Sequence, residues 1–248
     1  MRQVVKGLVA FSLMGSTAFA GGLGEMTPDE RAAFRAEVRA FLIETPEVLV
    51  EAMDELRVRE DIAAAQRDAE VLRDQAAAIF DDPNSWVGGN PEGDITVVEF
   101  IDYRCGYCRK AQGEVAELVR SDGNIRLVIK EFPILGEASV ASARFAIAVR
   151  QLHGDAAYQA AHEALITLRG EPEPETLTRL AQDLGHEPGP ILDRMGSDGV
   201  TQVIAANHAL ADLMAISGTP TFVIDQTLLR GYVPLDGLRA IVTEQRAG

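Results

Sequence analysis

Hydrophobic and polar positions change rhythm three times along this chain. From Met26 to Phe80 the stretch "MTPDERAAFRAEVRAFLIETPEVLVEAMDELRVREDIAAAQRDAEVLRDQAAAIF" is rich in Ala, Glu and Arg and holds no glycine, which predicts helix. Thr27-Pro28-Asp29-Glu30 has the form of a capping box with proline at the first helical position, and Thr45-Pro46 offers a second start. The expectation is a helix over about 28–44 and a long one over about 46–80. Leu42, Leu49, Leu56 and Ala63 recur seven residues apart, but Thr45, Ala52 and Arg59 interrupt the heptad. The apolar stripe is thin for a helix buried on its own domain, so this segment reads as an oligomerisation arm, with packing on its own domain as the alternative.

Asp82-Pro83-Asn84 and Gly88-Gly89-Asn90-Pro91 are turn-rich punctuation and predict a boundary near residue 81. Beyond it the period shortens to that of strands. "DITVVEFID" reads as a strand, Cys108 to Val119 as a helix and "IRLVIKEFPI" as a second strand, together a βαβ unit with parallel strands. Residues 138 to about 215 return to helical spacing, broken at Gly154, "RGEPEPE", "GHEPGP" and Gly196, and predict a block of four or five helices. "TPTFVIDQTLLRGYV" then predicts two antiparallel strands around Asp225-Gln226, and "LDGLRAIVTEQR" a closing helix. The class is α/β, with a helical arm at 21–80 and a domain at 81–248.

Charge and the first residues narrow the setting. Of 248 residues, 23 are basic and 38 acidic, a formal charge of −15 that disfavours nucleic acid and anionic membrane surfaces as partners. Residues 1–20 carry Arg2 and Lys6, an apolar run from Leu8 to Met14 and an Ala18-Phe19-Ala20 cleavage pattern, the form of a secretory signal peptide. The apolar run is short for a transmembrane span, which leaves an uncleaved anchor as the weaker reading. Export, to a periplasm or another oxidising space, permits disulfide chemistry.

The only two cysteines, Cys105 and Cys108, lie two residues apart between the first strand and its helix. A cysteine at a helix start faces unpaired N–H groups that favour thiolate, the species that attacks disulfides. Cys105 is therefore the candidate nucleophile, and Cys108, one turn on, the candidate resolver. No metal site is expected: zinc needs about four ligands, and His153, His162, His186 and His208 are scattered, each better read as a surface or helix-packing residue. A structural clip closing so short a loop gains little entropy, and a Cys-His protease site would be quenched by Cys108.

"VVEFIDYRCGYCRK", together with the distant "SGTPTFVI", resembles the DsbA-like thiol-disulfide oxidoreductases, and the helical arm is similar to that of their ScsC-like members. The resemblance runs over about residues 84 to 247. It implies a thioredoxin fold with an inserted helical domain at about 138–215. It further implies that Cys105 and Cys108 are a redox-active disulfide needing no other cofactor, and that Pro220 is a cis-proline facing them. Thr219 would then offer its backbone to an extended substrate, with Gly106 and Tyr107 at the same surface. Glu99 matches a buried acid beneath the cysteines, and its alternation with Val97 and Ile101 points it to one side of the strand, where burial raises a carboxyl into the range of proton transfer; an exposed strand-edge acid is the alternative. Lys130 matches a family lysine and is expected either to pair with Glu99 or to lie at the surface. Asp102, Tyr103 and Arg104 would surround the entrance, Arg104 either supporting the thiolate or solvated.

The implied function is formation, reduction or isomerisation of disulfides in other exported proteins. Gly106-Tyr107, Thr219 and the arm favour isomerase or reductase over oxidase. An isomerase implies a membrane reductase of the DsbD type as partner, an oxidase one of the DsbB type. The alternative is a thiol chaperone that binds copper(I) or clients through two soft thiolates.

Overall fold

The computed structural model describes residues 26–247, so the candidate signal peptide lies outside the described residues. The chain divides into two compact units, Met1–Asp61 and Ile62–Gly248.

The first unit contains α1 (Pro28–Glu44) and the beginning of α2 (Glu47–Asp74). Its capping box forms as expected, with Glu30 N donating to Thr27 Oγ1 at 3.3 Å and Thr27 N donating to Glu30 Oε2 at 2.8 Å. Helix α1 buries none of its residues. Phe34, Val38, Phe41, Ile43, Leu49, Val50, Met53 and Leu56 are all exposed, and a groove of about 440 Å³ runs between Phe34, Val38, Leu42 and Leu49.

In the second unit the rest of α2 is followed by α3 (Ala76–Phe80), β1 (Trp86–Gly89), β2 (Ile95–Ile101), α4 (Gly106–Asp122) and β3 (Ile125–Glu131). Five helices come next: α5 (Glu137–His153), α6 (Asp155–Ile166), α7 (Pro174–Asp183), α8 (Pro188–Met195) and α9 (Asp198–Leu213). The hairpin β4 (Thr221–Ile224) and β5 (Thr227–Arg230) and the helix α10 (Leu235–Ala247) close the chain. This is the thioredoxin fold with an inserted helical block. The sheet order is β1-β3-β2-β4-β5, with β2 and β3 parallel and the other pairs antiparallel. Covered on both faces, β2 reads as a nearly continuous apolar run, as a central strand of such a sheet must.

Two features depart from the expectation. The turn-rich "SWVGGNP" contains an edge strand, β1, hydrogen-bonded to β3. Glycine is required there, because a Cβ on Gly88 would stand 2.0 Å from the Trp86 ring, and Gly89 has φ +68° with Ile125 O 2.4 Å from where its Cβ would be. The indole lies back over its own strand and donates Nε1–H to Asp155 O at 3.0 Å. The second departure concerns the boundary. Residues 62–80 belong to the core of the second unit: Leu72 and Ile79 are buried with Val98, Phe100, Val128 and Leu210, and Arg230 grips Asp68 through two 2.8 Å contacts.

Ile79→Ala is expected to cost about 2–5 kcal/mol of unfolding free energy, the range for emptying a fully buried aliphatic site. Phe34→Ala, at an exposed position, should leave the midpoint of the second unit unchanged. Urea unfolding followed by Trp86 fluorescence separates the two, and equal effects would contradict the division at Asp61.

Candidate active site

Strand β2 ends at Ile101 and hands the chain to a three-residue turn that its first member holds in place. Asp102 is buried, and its carboxylate accepts from the backbone N–H groups of Arg104 (2.8 Å), Ile134 (2.8 Å) and Leu135 (3.0 Å). Cys105 N donates to Asp102 O, and Cys105 becomes the N-cap of α4 without a side-chain cap of its own. Its sulfur therefore stands where the first helical N–H groups point.

Both cysteines are free thiols. Cys105 is 7% exposed and donates Sγ–H to Thr219 O at 3.1 Å, and the Thr219–Pro220 peptide bond is cis. Cys108 is 1% exposed. Burial pushes its thiol well above the usual cysteine range, the charge of nearby Glu99 adds to that, and hydrogen bonds from the Asp102 and Thr219 side partly offset it. The two sulfurs are thus unequal in access, and burial makes Cys108 hold its proton more tightly than a free thiol.

Glu99 sits on the central strand, opposite Ile129 on one side and Phe222 on the other. It is 2% exposed, its Oε2 has no hydrogen-bond partner, and burial raises its carboxyl to about 8. It lines a cavity of about 190 Å³ together with Gln112, Leu127, Ile129 and His162.

Register separates Lys130 from Glu99. Glu99 is opposite Ile129, so Lys130, opposite Phe100, projects from the other face of the sheet. There it is fully buried, with Nζ donating to Ala78 O at 2.7 Å and to Asp82 at 2.9 Å. Both the expected pair with Glu99 and the surface placement are corrected. Arg104 is corrected as well: it is neither at the thiol nor free in solvent, but holds the loop between α6 and α7 through Gly170 O and Glu171, both at 2.6 Å.

At the surface, Tyr107 is 62% exposed, and a Cβ on Gly106 would meet nothing within 4 Å, so the dipeptide leaves the approach open on one side and aromatic on the other. Tyr107 faces Tyr232 at 5.9 Å between ring centroids, Lys110 Nζ lies 4.2 Å over the Tyr232 ring, and Tyr232 donates to Glu114. Tyr232 was not picked out in sequence. Its one signal is its place directly after Gly231, which donates to Pro220 O and so ties this loop to the proline loop.

The sequence model described as "Thioredoxin" matches residues 81–244. The chain belongs to the thioredoxin family. The model described as "Copper resistance protein ScsC N-terminal domain" matches residues 30–62, and the two matches together mark an ScsC-like member. Among solved structures, a thioredoxin-like oxidoreductase from Silicibacter pomeroyi DSS-3 is 42% identical with a TM-score of 0.65, covering 69% of this chain and 98% of that one. The thiol-disulfide exchange protein alpha-DsbA2 from Wolbachia pipientis is 28% identical with a TM-score of 0.68, covering 74% and 98%. A curated relative, the Na(+)/H(+) antiporter NhaA 1 of Salinispora arenicola, is 32% identical over 167 residues, which is 65% of this chain. The match spans only about a quarter of the length of such curated relatives. Among the described residues of this thioredoxin-family chain no helix is long and apolar enough to cross a membrane.

The raised carboxyl of Glu99 fixes a sign. The folded protein keeps a proton to about 8 that the unfolded chain releases near 4.5, so stability falls as pH rises through that window. Glu99→Gln is expected to flatten the fall by up to one proton, about 1.4 kcal/mol per pH unit. Urea titrations of the reduced protein between about pH 5 and about pH 8 measure it, and identical slopes in the two proteins would mean that Glu99 is ionised when folded.

Proposed function

We propose that the protein is an exported thiol-disulfide oxidoreductase that acts on disulfides of other exported proteins, with Cys105 as nucleophile and Cys108 as resolving thiol. The observation that carries this reading is the contact between Cys105 Sγ and Thr219 O, beside the cis-proline and in front of a buried second thiol. Thiolate at Cys105 attacks one sulfur of a substrate disulfide; that S–S bond breaks, a bond from Cys105 to the substrate forms, and the departing sulfur takes up a proton. Cys108 then passes its proton to Glu99 in its ionised form and attacks the Cys105 sulfur, closing the Cys105–Cys108 disulfide and releasing the second substrate sulfur, which takes up a proton. When a substrate thiol attacks first, Cys105 is returned reduced and the net change is isomerisation. Thr219 and the Tyr107–Tyr232 surface would hold the extended substrate.

Isomerase or reductase is favoured over oxidase. The open Gly106-Tyr107 surface supports this, as does the arm, whose exposed apolar residues suit a contact between copies of this chain. An isomerase draws electrons from a DsbD-type membrane reductase. Export is supported by the signal-like residues 1–20 and by a 31%-identical structural relative described as a periplasmic thioredoxin-like protein from Salmonella enterica serovar Typhimurium.

Cys108→Ser is expected to accumulate disulfide-linked client adducts on non-reducing gels, and Cys105→Ser to give none and to fall to the uncatalysed rate with a scrambled-disulfide substrate. Adducts from Cys105→Ser would reverse the assignment. Stoichiometric copper(I) uptake without turnover would favour a thiol chaperone instead. Deleting residues 21–61, and not the core-forming 62–80, is expected to reduce the light-scattering mass to that of a monomer and to lower isomerase activity while sparing oxidase activity.

A further inference from the structure

Glu131, at the end of β3, is a second buried acid on the Glu99 face of the sheet, since it stands opposite Ile101. It is 3% exposed. Its Oε1 accepts from Tyr103 at 2.7 Å and from Tyr158 at 2.6 Å, whereas its Oε2 has no partner. The Tyr103 hydroxyl also lies 3.2 Å from His162 Nδ1, and His162 Nε2 lies 3.1 Å from the side-chain oxygen of Gln112. His162 and Gln112 line the same cavity as Glu99. The proposed exchange mechanism assigns none of these side chains a task.

The chain of contacts has a specific proton logic. Tyr103 has one hydroxyl proton and two neighbours able to accept it. With Glu131 ionised, both tyrosines donate to the carboxylate, so His162 must hold its proton on Nδ1 to donate to the Tyr103 oxygen. Its bare Nε2 then accepts a hydrogen bond from the amide N–H of Gln112 after that group turns over. With Glu131 protonated, its O–H donates to Tyr103, Tyr103 donates to Nδ1, and His162 carries its proton on Nε2, directed at the Gln112 oxygen. Apart from the turned Gln112 amide, the same heavy-atom positions serve both arrangements.

We propose that Glu131, Tyr103 and His162 form a proton relay joining the interior behind the cysteine loop to the cavity that Glu99 also lines. A proton entering at His162 Nε2 displaces the Nδ1 proton onto the Tyr103 oxygen, and the Tyr103 proton moves to Glu131. Three X–H bonds form and three break, no electron moves, and neither the ring nor the phenol keeps a charge. In disulfide closure the proton that leaves Cys108 passes through Glu99 to the cavity and is stored on Glu131; in disulfide opening the path reverses. This use rests on the exchange reaction proposed above, but the relay itself does not.

The surroundings suit such a store. Burial raises the Glu131 carboxyl to about 8, and the negative charge of Asp102 adds to the rise while the two tyrosines oppose it. Burial also holds His162 down to about 4, so its ring stays neutral while it changes tautomer. From α5, Arg150 bears on Tyr158; from α9, Asn207 donates to Glu131 O without carrying charge. Lys130, the neighbouring cation in sequence, is on the opposite face with Asp82.

The test is nuclear magnetic resonance of the reduced full-length protein labelled with ¹⁵N-histidine, the His162 ring signals being identified by their loss in His162→Gln. The expected result is the Nε2–H tautomer at low pH and the Nδ1–H tautomer at high pH, with the changeover centred near about 8, where Glu131 titrates. Glu131→Gln and Tyr103→Phe should each fix one tautomer throughout. A wild-type tautomer that does not change with pH, or a changeover that survives in Tyr103→Phe, would overturn the relay. The rate at which Cys108 closes the mixed disulfide, measured on the same samples, should lose its pH dependence near 8 in Tyr103→Phe. A tautomer change without thiol-disulfide exchange would instead overturn the proposed function and leave the relay standing.

Discussion

The parallel pairing of β2 with β3 is the constraint from which the other features follow. Its register, Glu99 with Ile129, Phe100 with Lys130 and Ile101 with Glu131, decides which buried charge meets which neighbour. The face carrying Glu99 and Glu131 looks toward α4 and α6, where the cysteines and His162 lie. The face carrying Lys130 looks toward α3, where Ala78 and Asp82 receive the ammonium. A slip of β3 by one residue would exchange its two faces, leaving Lys130 beneath the cysteines beside Glu99 and Glu131 against α3. Because the strands are joined through α4, the same pairing also puts the N-terminus of α4, with Cys105, just beyond the C-terminal end of the central strand β2.

The two faces treat buried charge in opposite ways. Lys130 is desolvated, but Asp82 and a backbone carbonyl offset the loss, and the pair remains a salt bridge inside the second unit. Glu99 and Glu131 have no cation, and each keeps one oxygen without a hydrogen bond. Burial is therefore the main force against their charged forms, joined at Glu131 by the charge of Asp102, which is unfavourable for stability above neutral pH and useful for holding a proton. Strands β2 and β3 thus carry one buried cation with its partners and two buried acids that each keep an unpaired oxygen, and these acids are on the cysteine side.

What was legible in the sequence was local. The arm helices, the βαβ unit, the five-helix block and the closing hairpin followed from periodicity and punctuation, because each is formed by residues near one another in the chain. The cysteine pair and the Thr219-Pro220 loop were legible as motifs, although 114 positions separate Cys105 from Thr219. Strand β1 was not, because its glycines make room for Trp86 and therefore look like a turn. The partner of Lys130 required the register, which periodicity does not give. Glu131 and His162 were invisible as a pair for the same reason: Tyr103 joins residues 28 and 59 positions away, and no local pattern encodes that meeting.

The inserted helices are more than a cover for the sheet. The insertion leaves the sheet just after Glu131 and returns just before Pro220, so its two ends are fixed at the buried acid and at the substrate loop. Along the way Asp102 accepts from Ile134 and Leu135 at its start, Arg104 holds Gly170 and Glu171 in its middle, and α6 delivers Tyr158 to Glu131 and His162 to Tyr103. All of these polar ties but one end on the Asp102–Arg104 turn, and the exception, Tyr158, shares Glu131 with Tyr103. Any shift of the insertion must therefore strain the turn that places Cys105, while the apolar packing of α5 through α9 against Ile101 and Ile129 resists the shift. The position of Cys105 and the environment of the buried acid are set by one and the same set of contacts.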